Sequence, residues 1–316
     1  MTLFVFWRMM RLRIRRVLPW LLLLLSFAAL PLSAACGGNG SAAGGRVKAV
    51  TTLPLFADLV RAVGGDRVDV SALLPAGSDP HTFEPAPRDV QRASEARIAF
   101  ANGLGLEPAA LRIIEANLPS GSLLVRLADK AVAAGARAVN DDPHLWMDAE
   151  NGKLYAAAIR DGLSEVDPAG ASEYERNYAA YVSQLDEAAA YARGQVATIP
   201  ESNRKLVTTH DAFGYLARWL GLEVIASVAR GPGQEPSPGD VAHLASAIED
   251  QHVPAVFREP QIGSERRLLE QAAGDAGVRV CTLYSDSLDN TVQTYLDLLR
   301  YDADQLAACL GGGDGG

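Results

Sequence analysis

Two stretches of this chain repeat one rhythm, a β-rich apolar segment followed by a helix-patterned one, with a single long helical stretch between them. In the first, Arg46 to Thr52 alternates and is rich in Val and Thr, and Pro54 to Val63 follows with helical spacing before Gly64-Gly65. The order recurs with Val68 to Leu74, a loop carrying His81, a helix over Pro87 to Ser94, the apolar Ile98-Ala99-Phe100 and a helix from Pro108 to Asn117. The second stretch gives strands at Lys205 to Thr209, Glu223 to Val228, Ala255 to Phe257 and Val278 to Leu283. Helices over Asp211 to Leu220, Pro238 to Asp250 and Glu265 to Ala276 lie between them. Ala171 to Val196 holds good helix formers and no proline, with Pro168 ahead and Pro200 behind, so it reads as one helix. Alternating strands and helices bury their apolar faces best as parallel sheets covered on both sides. The expected fold is therefore α/β with two lobes, residues 46–170 and 198–316, each a parallel-type sheet flanked by helices. One rigid helix over 171–197 joins them. The two halves share a layout but no residue-level repeat, and duplication is not implied. Gly231 to Pro238 reads as a loop near the boundary.

The amino terminus reads as an address rather than as part of either lobe. Arg8, Arg11, Arg13, Arg15 and Arg16 precede the apolar Val17 to Leu25, and small residues close the segment at Ser33-Ala34-Ala35. A spanning helix is disfavoured by the short apolar run and by Pro19 and Pro31, so residues 1–35 are expected to be a secretion signal. Cys36 resembles a lipoprotein cysteine, and the glycine-rich 36–45 a flexible tether behind it. Ser33 stands where a leucine is usual, and Ser-Ala-Ala would also suit ordinary signal cleavage. Export to the outer face of the cytoplasmic membrane, or to the periplasm, follows. Removing five leader arginines takes the formal charge from -9 to -14. An acidic body argues against nucleic acid or an anionic membrane surface as a partner and is compatible with gathering cations. Cys281 and Cys309 could bridge in an oxidising compartment, or could be two separate buried residues.

Three of the five histidines fall in short marked segments: Asp79-Pro80-His81, Asp142-Pro143-His144 and Thr208-Thr209-His210. Ligands of open parallel sheets gather beyond the carboxyl ends of the strands. His81, His210 and Asp286 follow strands in this reading, and His144 precedes a helix opening near Asp148. Each half would supply two ligands to a cleft. Three imidazoles and a carboxylate suit Zn(II), and a bidentate carboxylate also admits Mn(II) or Fe(II). His243 and His252 are expected to be structural or exposed. Asp79, Asp142, Asp148 and Asp211 either cap turns and helices or orient an imidazole, with capping favoured for Asp211.

Several longer segments then resemble one family, the metal-binding lipoproteins of bacterial zinc and manganese ABC importers, the cluster A-I solute-binding proteins. Gly77 to Pro85, Asn102 to Glu107, Asp142 to Asp148, Thr209 to Tyr215 and Tyr284 to Leu288 look like its motifs in order, as do Glu235 to Pro238 and Phe257 to Gln261. The resemblance covers nearly all of the chain after the tether. It implies two α/β lobes around a rigid helix, metal between the lobes, and delivery to a permease with its ATPase subunit by a monomeric, lipid-anchored protein. It implies His81, His144, His210 and Asp286 as the metal ligands. His210 at the third position leans towards zinc, since many manganese members have glutamate there. Ala128 to Asp141 contains no histidine, unlike the histidine-rich loop of several zinc members.

A secreted zinc hydrolase is the reading from another class, because three histidines and an open position define a catalytic zinc. Asp286 would close that position, and the chain has no His-Glu-x-x-His; Glu84 is the only nearby acid to watch. A surface adhesin would not need four ligand-like segments. With no Gly-x-x-x-x-Gly-Lys-Ser/Thr loop, ATP hydrolysis is left to other subunits.

Overall fold

A computed structural model describes residues 45–139, 142–229 and 236–311. The leader, Cys36, the tether up to Gly44 and most of the Gly231 to Pro238 loop, including Glu235, lie outside the described residues. Among the described residues, two four-stranded sheets, both wholly parallel, carry the fold. The first has β1 (Val47–Thr51), β2 (Val68–Ala72), β3 (Ile98–Ala101) and β4 (Leu123–Arg126) in the order β2-β1-β3-β4. The second has β5 (Lys205–His210), β6 (Glu223–Ala229), β7 (Ala255–Arg258) and β8 (Arg279–Thr282) in the order β6-β5-β7-β8. The connections run to opposite sides of β1 and of β5. Each sheet therefore has a switch point, between β1 and β3 and between β5 and β7, where a crevice opens at the carboxyl ends.

The helices of the first half are α1 (Pro54–Gly64), α2 (Pro87–Glu95), α3 (Pro108–Asn117), α4 (Leu127–Ala133) and α5 (Ala149–Val166). The linking helix α6 spans Ala171–Ala197, and α7 (Gly214–Leu220), α8 (Pro238–Asp250), α9 (Ser264–Ala276) and α10 (Tyr295–Leu310) complete the second half. Proline opens α1, α2, α3 and α8, where its missing N–H costs nothing and its fixed φ favours the first turn. The sequence pattern missed β4, α4 and α10. The first two are short, and α10 mixes Asp297, Arg300, Asp302 and Asp304 among its apolar residues. The expected start of α7 at Asp211 is also corrected. His210 is the last residue of β5, Ala212 N–H turns back onto the His210 carbonyl at 3.1 Å, and the helix begins only at Gly214.

Central strands alternate between two faces, as the pleat requires. Ile98 and Phe100 of β3, and Ala255 and Phe257 of β7, enter one large core, while Ala99 and Val256 face smaller clusters under α3 and under α8 and α9. The large core is shared by both halves. It runs from Phe56 and Trp146 through Tyr181, Leu185, Ala188 and Ala192 of α6 to Phe213, Tyr215 and Tyr295. At 27 residues, α6 is about 40 Å long, and α10 packs along it. Cys281 at β8 and Cys309 at the end of α10 form a disulfide with Cα atoms 6.7 Å apart. Among the described residues, no helix is long and apolar enough to cross a membrane.

Candidate metal centre

Four segments bring His81, His144, His210 and Asp286 together, each offering one ligand atom within 4.8 Å of the others. His81 comes from the loop after β2, His144 from the segment between α4 and α5, His210 from the end of β5, and Asp286 from the loop after β8. The three rings form a near-equilateral set, with centroids 5.5, 5.7 and 5.3 Å apart. Asp286 Oδ1 lies 3.3 Å from His144 Nε2, and Asp286 Oδ2 lies 3.5 Å from His210 Nε2 and 3.9 Å from His81 Nε2. Two ligands of one tetrahedral zinc ion would stand about 3.4 Å apart. The three Nε2 atoms and both Asp286 oxygens are buried and have no hydrogen-bond partner among the described residues. Burying five polar atoms around one point without hydrogen bonds is costly unless a cation can satisfy them. Both carboxylate oxygens are available, so bidentate as well as monodentate ligation fits. Only the His81 side chain keeps appreciable exposure, 17%, against 2% for His144 and none for His210 and Asp286. The centre therefore meets solvent on the His81 side.

The outer nitrogens are held by carboxylates. His144 Nδ1 lies 2.7 Å from Asp142 Oδ1, which also accepts the His144 main-chain N–H at 2.9 Å. His210 Nδ1 lies 2.6 Å from Glu259 Oε2. A proton shared on that side fixes each ring and turns Nε2 inward. Asp142 thus serves the orienting role of the two open to it. Asp79 instead closes a turn, accepting from His81 N–H at 2.9 Å and from the Thr82 hydroxyl at 2.7 Å. Asp148 caps α5 by accepting the Glu150 N–H. Asp211 does not cap α7, whose preceding residue is Phe213 with no side-chain cap, because the chain makes one further turn before the helix starts. Glu84, His243 and His252 are exposed and outside the cluster.

Glu259 was not recognisable as part of the site from its segment alone. It sits just past β7, and only the pairing of β7 with β5 puts it against His210. Thr209 Oγ1 donates to its Oε2 at 2.5 Å, and Ser285 Oγ donates to its Oε1. On the other half, Asn102 Nδ2 donates to the Pro143 carbonyl at 2.9 Å, immediately before His144. Tyr155 Oη donates to Asn102 Oδ1 at 2.6 Å.

Burial drives the electrostatics of the centre. It pushes His81 down to about 2, helped by the other two imidazoles, so His81 is neutral at physiological pH. Burial also pulls His210 down, but the Glu259 carboxylate outweighs it and holds His210 up at about 9. Glu259 in turn is lowered despite its burial by the charge and hydrogen bond of His210. Burial raises Asp286, partly opposed by His144 and His210.

Two parallel-sheet lobes on a long helix, with a buried histidine and carboxylate cluster between their carboxyl edges, define a solute-binding protein built for a metal cation. The chain belongs to the zinc-uptake complex component A, periplasmic (ZnuA) family, whose pattern matches residues 49–309. It is 29% identical over 288 residues to the manganese-binding lipoprotein MntA of Halalkalibacterium halodurans, covering 88% of this chain and 94% of that protein. It is 27% identical to the iron ABC transporter substrate-binding lipoprotein MtsA of Streptococcus pyogenes, over 90% of this chain and 96% of that one. The structure of the periplasmic zinc binding protein TroA from Treponema pallidum superposes with a TM-score of 0.78 at 29% identity, covering 84% of this chain and 99% of TroA. The protein is accordingly an extracytoplasmic metal-binding component of an ABC importer, and the hydrolase reading falls with it.

Proposed function

We propose that the chain captures Zn(II) through His81, His144, His210 and Asp286 and hands it to the permease of an importer, whose ATPase subunit drives uptake. The observation that carries this is the convergence on one point of five buried ligand atoms that make no hydrogen bond among the described residues. Three imidazole nitrogens and one carboxylate with no thiolate suit zinc at its usual coordination number. The protein stripped by chelator is expected to bind one Zn(II) in a calorimetric titration. His210→Ala should weaken binding by more than about 100-fold, the upper range for losing only a residue that orients a ligand. A titration without a saturable site would end the proposal. Equal affinity in His210→Ala would remove that residue from the ligand set.

A second reading, Mn(II) or Fe(II) as cargo, is supported by the availability of both Asp286 oxygens and by the names of MntA and MtsA. Affinity does not decide between the ions, because zinc outranks manganese and iron in almost any such site. Metal analysis of protein purified from its own host separates the two. Lipid anchoring at Cys36 belongs to the same proposal, and mass spectrometry of the mature amino-terminal peptide tests it. An unmodified terminus would leave a freely diffusing periplasmic carrier.

A further inference from the structure

Trp146 stands two residues beyond His144 and is fully buried. Its ring packs edge-on against His144 at 5.4 Å and against Phe56 at 5.5 Å. Phenylalanine would fill much of that space. What it could not supply is the indole N–H, which donates at 3.0 Å to the carbonyl of Ser285, the residue just before Asp286. The main-chain carbonyl of Trp146 accepts from Tyr295 Oη, so the residue is fastened to the second half at both its backbone and its ring. Ser285 is itself held on its other side, since its hydroxyl donates to Glu259, which contacts His210. A single chain of bonds thus runs from the His144 segment through Trp146 and Ser285 to Asp286 and His210.

We propose that Trp146 is a positioning residue whose indole N–H latches the Asp286 loop to the His144 segment and thereby sets how fast metal is released. This rests on the reading of the four residues as metal ligands. Withdrawal of the Asp286 loop from the His144 segment must break the bond, and its loss leaves a buried carbonyl unpaired in the closed state. Loss of one contact inside a formed site shows mainly in dissociation.

The test compares the protein with Trp146→Phe and with a variant carrying 3-benzothienylalanine at position 146, which keeps the bicyclic shape and lacks the N–H. Zn(II) association and its release into excess chelator are followed by stopped flow, together with melting of the metal-free proteins. Both variants are expected to release Zn(II) about tenfold faster, with association within about twofold of the parent. Melting of the metal-free benzothienyl variant should fall by no more than several degrees, the cost of one buried hydrogen bond. Release at the parent rate from that variant, whatever Trp146→Phe does, would show that only ring volume matters and overturn the latch while the metal site stands. Failure of the parent itself to take up Zn(II) would overturn the metal reading, and the latch with it. Should Trp146→Phe fail to fold, the benzothienyl variant alone decides.

Discussion

Glu259 receives Thr209, Ser285 and His210 on its two oxygens and is fully buried, so its charge is spent on placing one imidazole. Replacing it by glutamine should weaken metal binding by about 10- to 100-fold, measured by competition with a chelator of known affinity. The same change should move the pH dependence. With His210 held at about 9, protons compete with metal for its Nε2 throughout the neutral range, and affinity should rise up to tenfold per pH unit before levelling near pH 9. In Glu259→Gln the levelling should fall well below that. Calorimetry in buffers of different ionisation enthalpy should find proton release from His210 as metal binds at pH 7, and none from His81, which is already neutral. In the metal-free protein the raised His210 contributes stability that is fully present below its ordinary value of 6.5 and is lost as pH rises through about 9. His81 acts the other way: its folded value near 2 makes the protein lose stability as pH falls below 6.5. At this scale the sequence was informative about His81, His144, His210 and Asp286, because Asp-Pro-His and strand-end positions are local signals. It could not identify Glu259 or Asn102, whose partners lie 49 and 41 residues away.

The elements divide between those that carry ligands and those that fix them. Gly77 adopts a φ of +77°, which a glycine reaches without strain, and its N–H donates to the Leu288 carbonyl at 3.0 Å and to Ser287 Oγ at 2.8 Å. The His81 loop is thereby clasped to the Asp286 loop. Helix α10 is fastened at both ends: Tyr295 N–H is held by Asp58 of α1 at 2.9 Å, and Cys309 is bonded to Cys281 of β8. Asp302, midway along α10, accepts the Tyr284 N–H at 2.9 Å, two residues before Asp286. Reducing the disulfide, or replacing Cys309 by serine, should cost about 3.5 kcal/mol, the closure entropy of a loop of 28 residues. Denaturant unfolding with and without reductant measures this. An unchanged midpoint would mean that packing of α10 on α6 suffices. Alternation of strand and helix makes most elements legible in the sequence, and proline marks the starts of four helices. Helix α10 escapes because its amphipathic face is interrupted by charge, and what holds it is tertiary: α6, the disulfide and the bonds to Asp58 and Tyr284.

Across the whole molecule, the two halves share a core through α6 and α10, so any opening of the cleft works against continuous packing and not merely against a linker. Metal that binds between the halves should therefore couple to global stability. At a free metal concentration 100 times Kd the native state should gain about 2.7 kcal/mol, seen as a raised melting temperature, and His210→Ala should cut that gain to about 0.4 kcal/mol or less. No shift in the parent under saturating metal would contradict a site formed only in the folded, closed state. The sequence by itself determined the class of fold, since the periodicity of buried faces is written into each segment and parallel α/β layers are what such segments can build. It also marked the four clustered side chains, because their signals are confined to a few neighbouring residues. The tertiary structure alone decided the strand orders that set Glu259 on His210 and the crossing of halves that sets Trp146 on Ser285. It also decided the merging of two lobes into one core. Each of these depends on residues tens to more than a hundred positions apart, and no local pattern encodes which distant partner a buried polar group will meet.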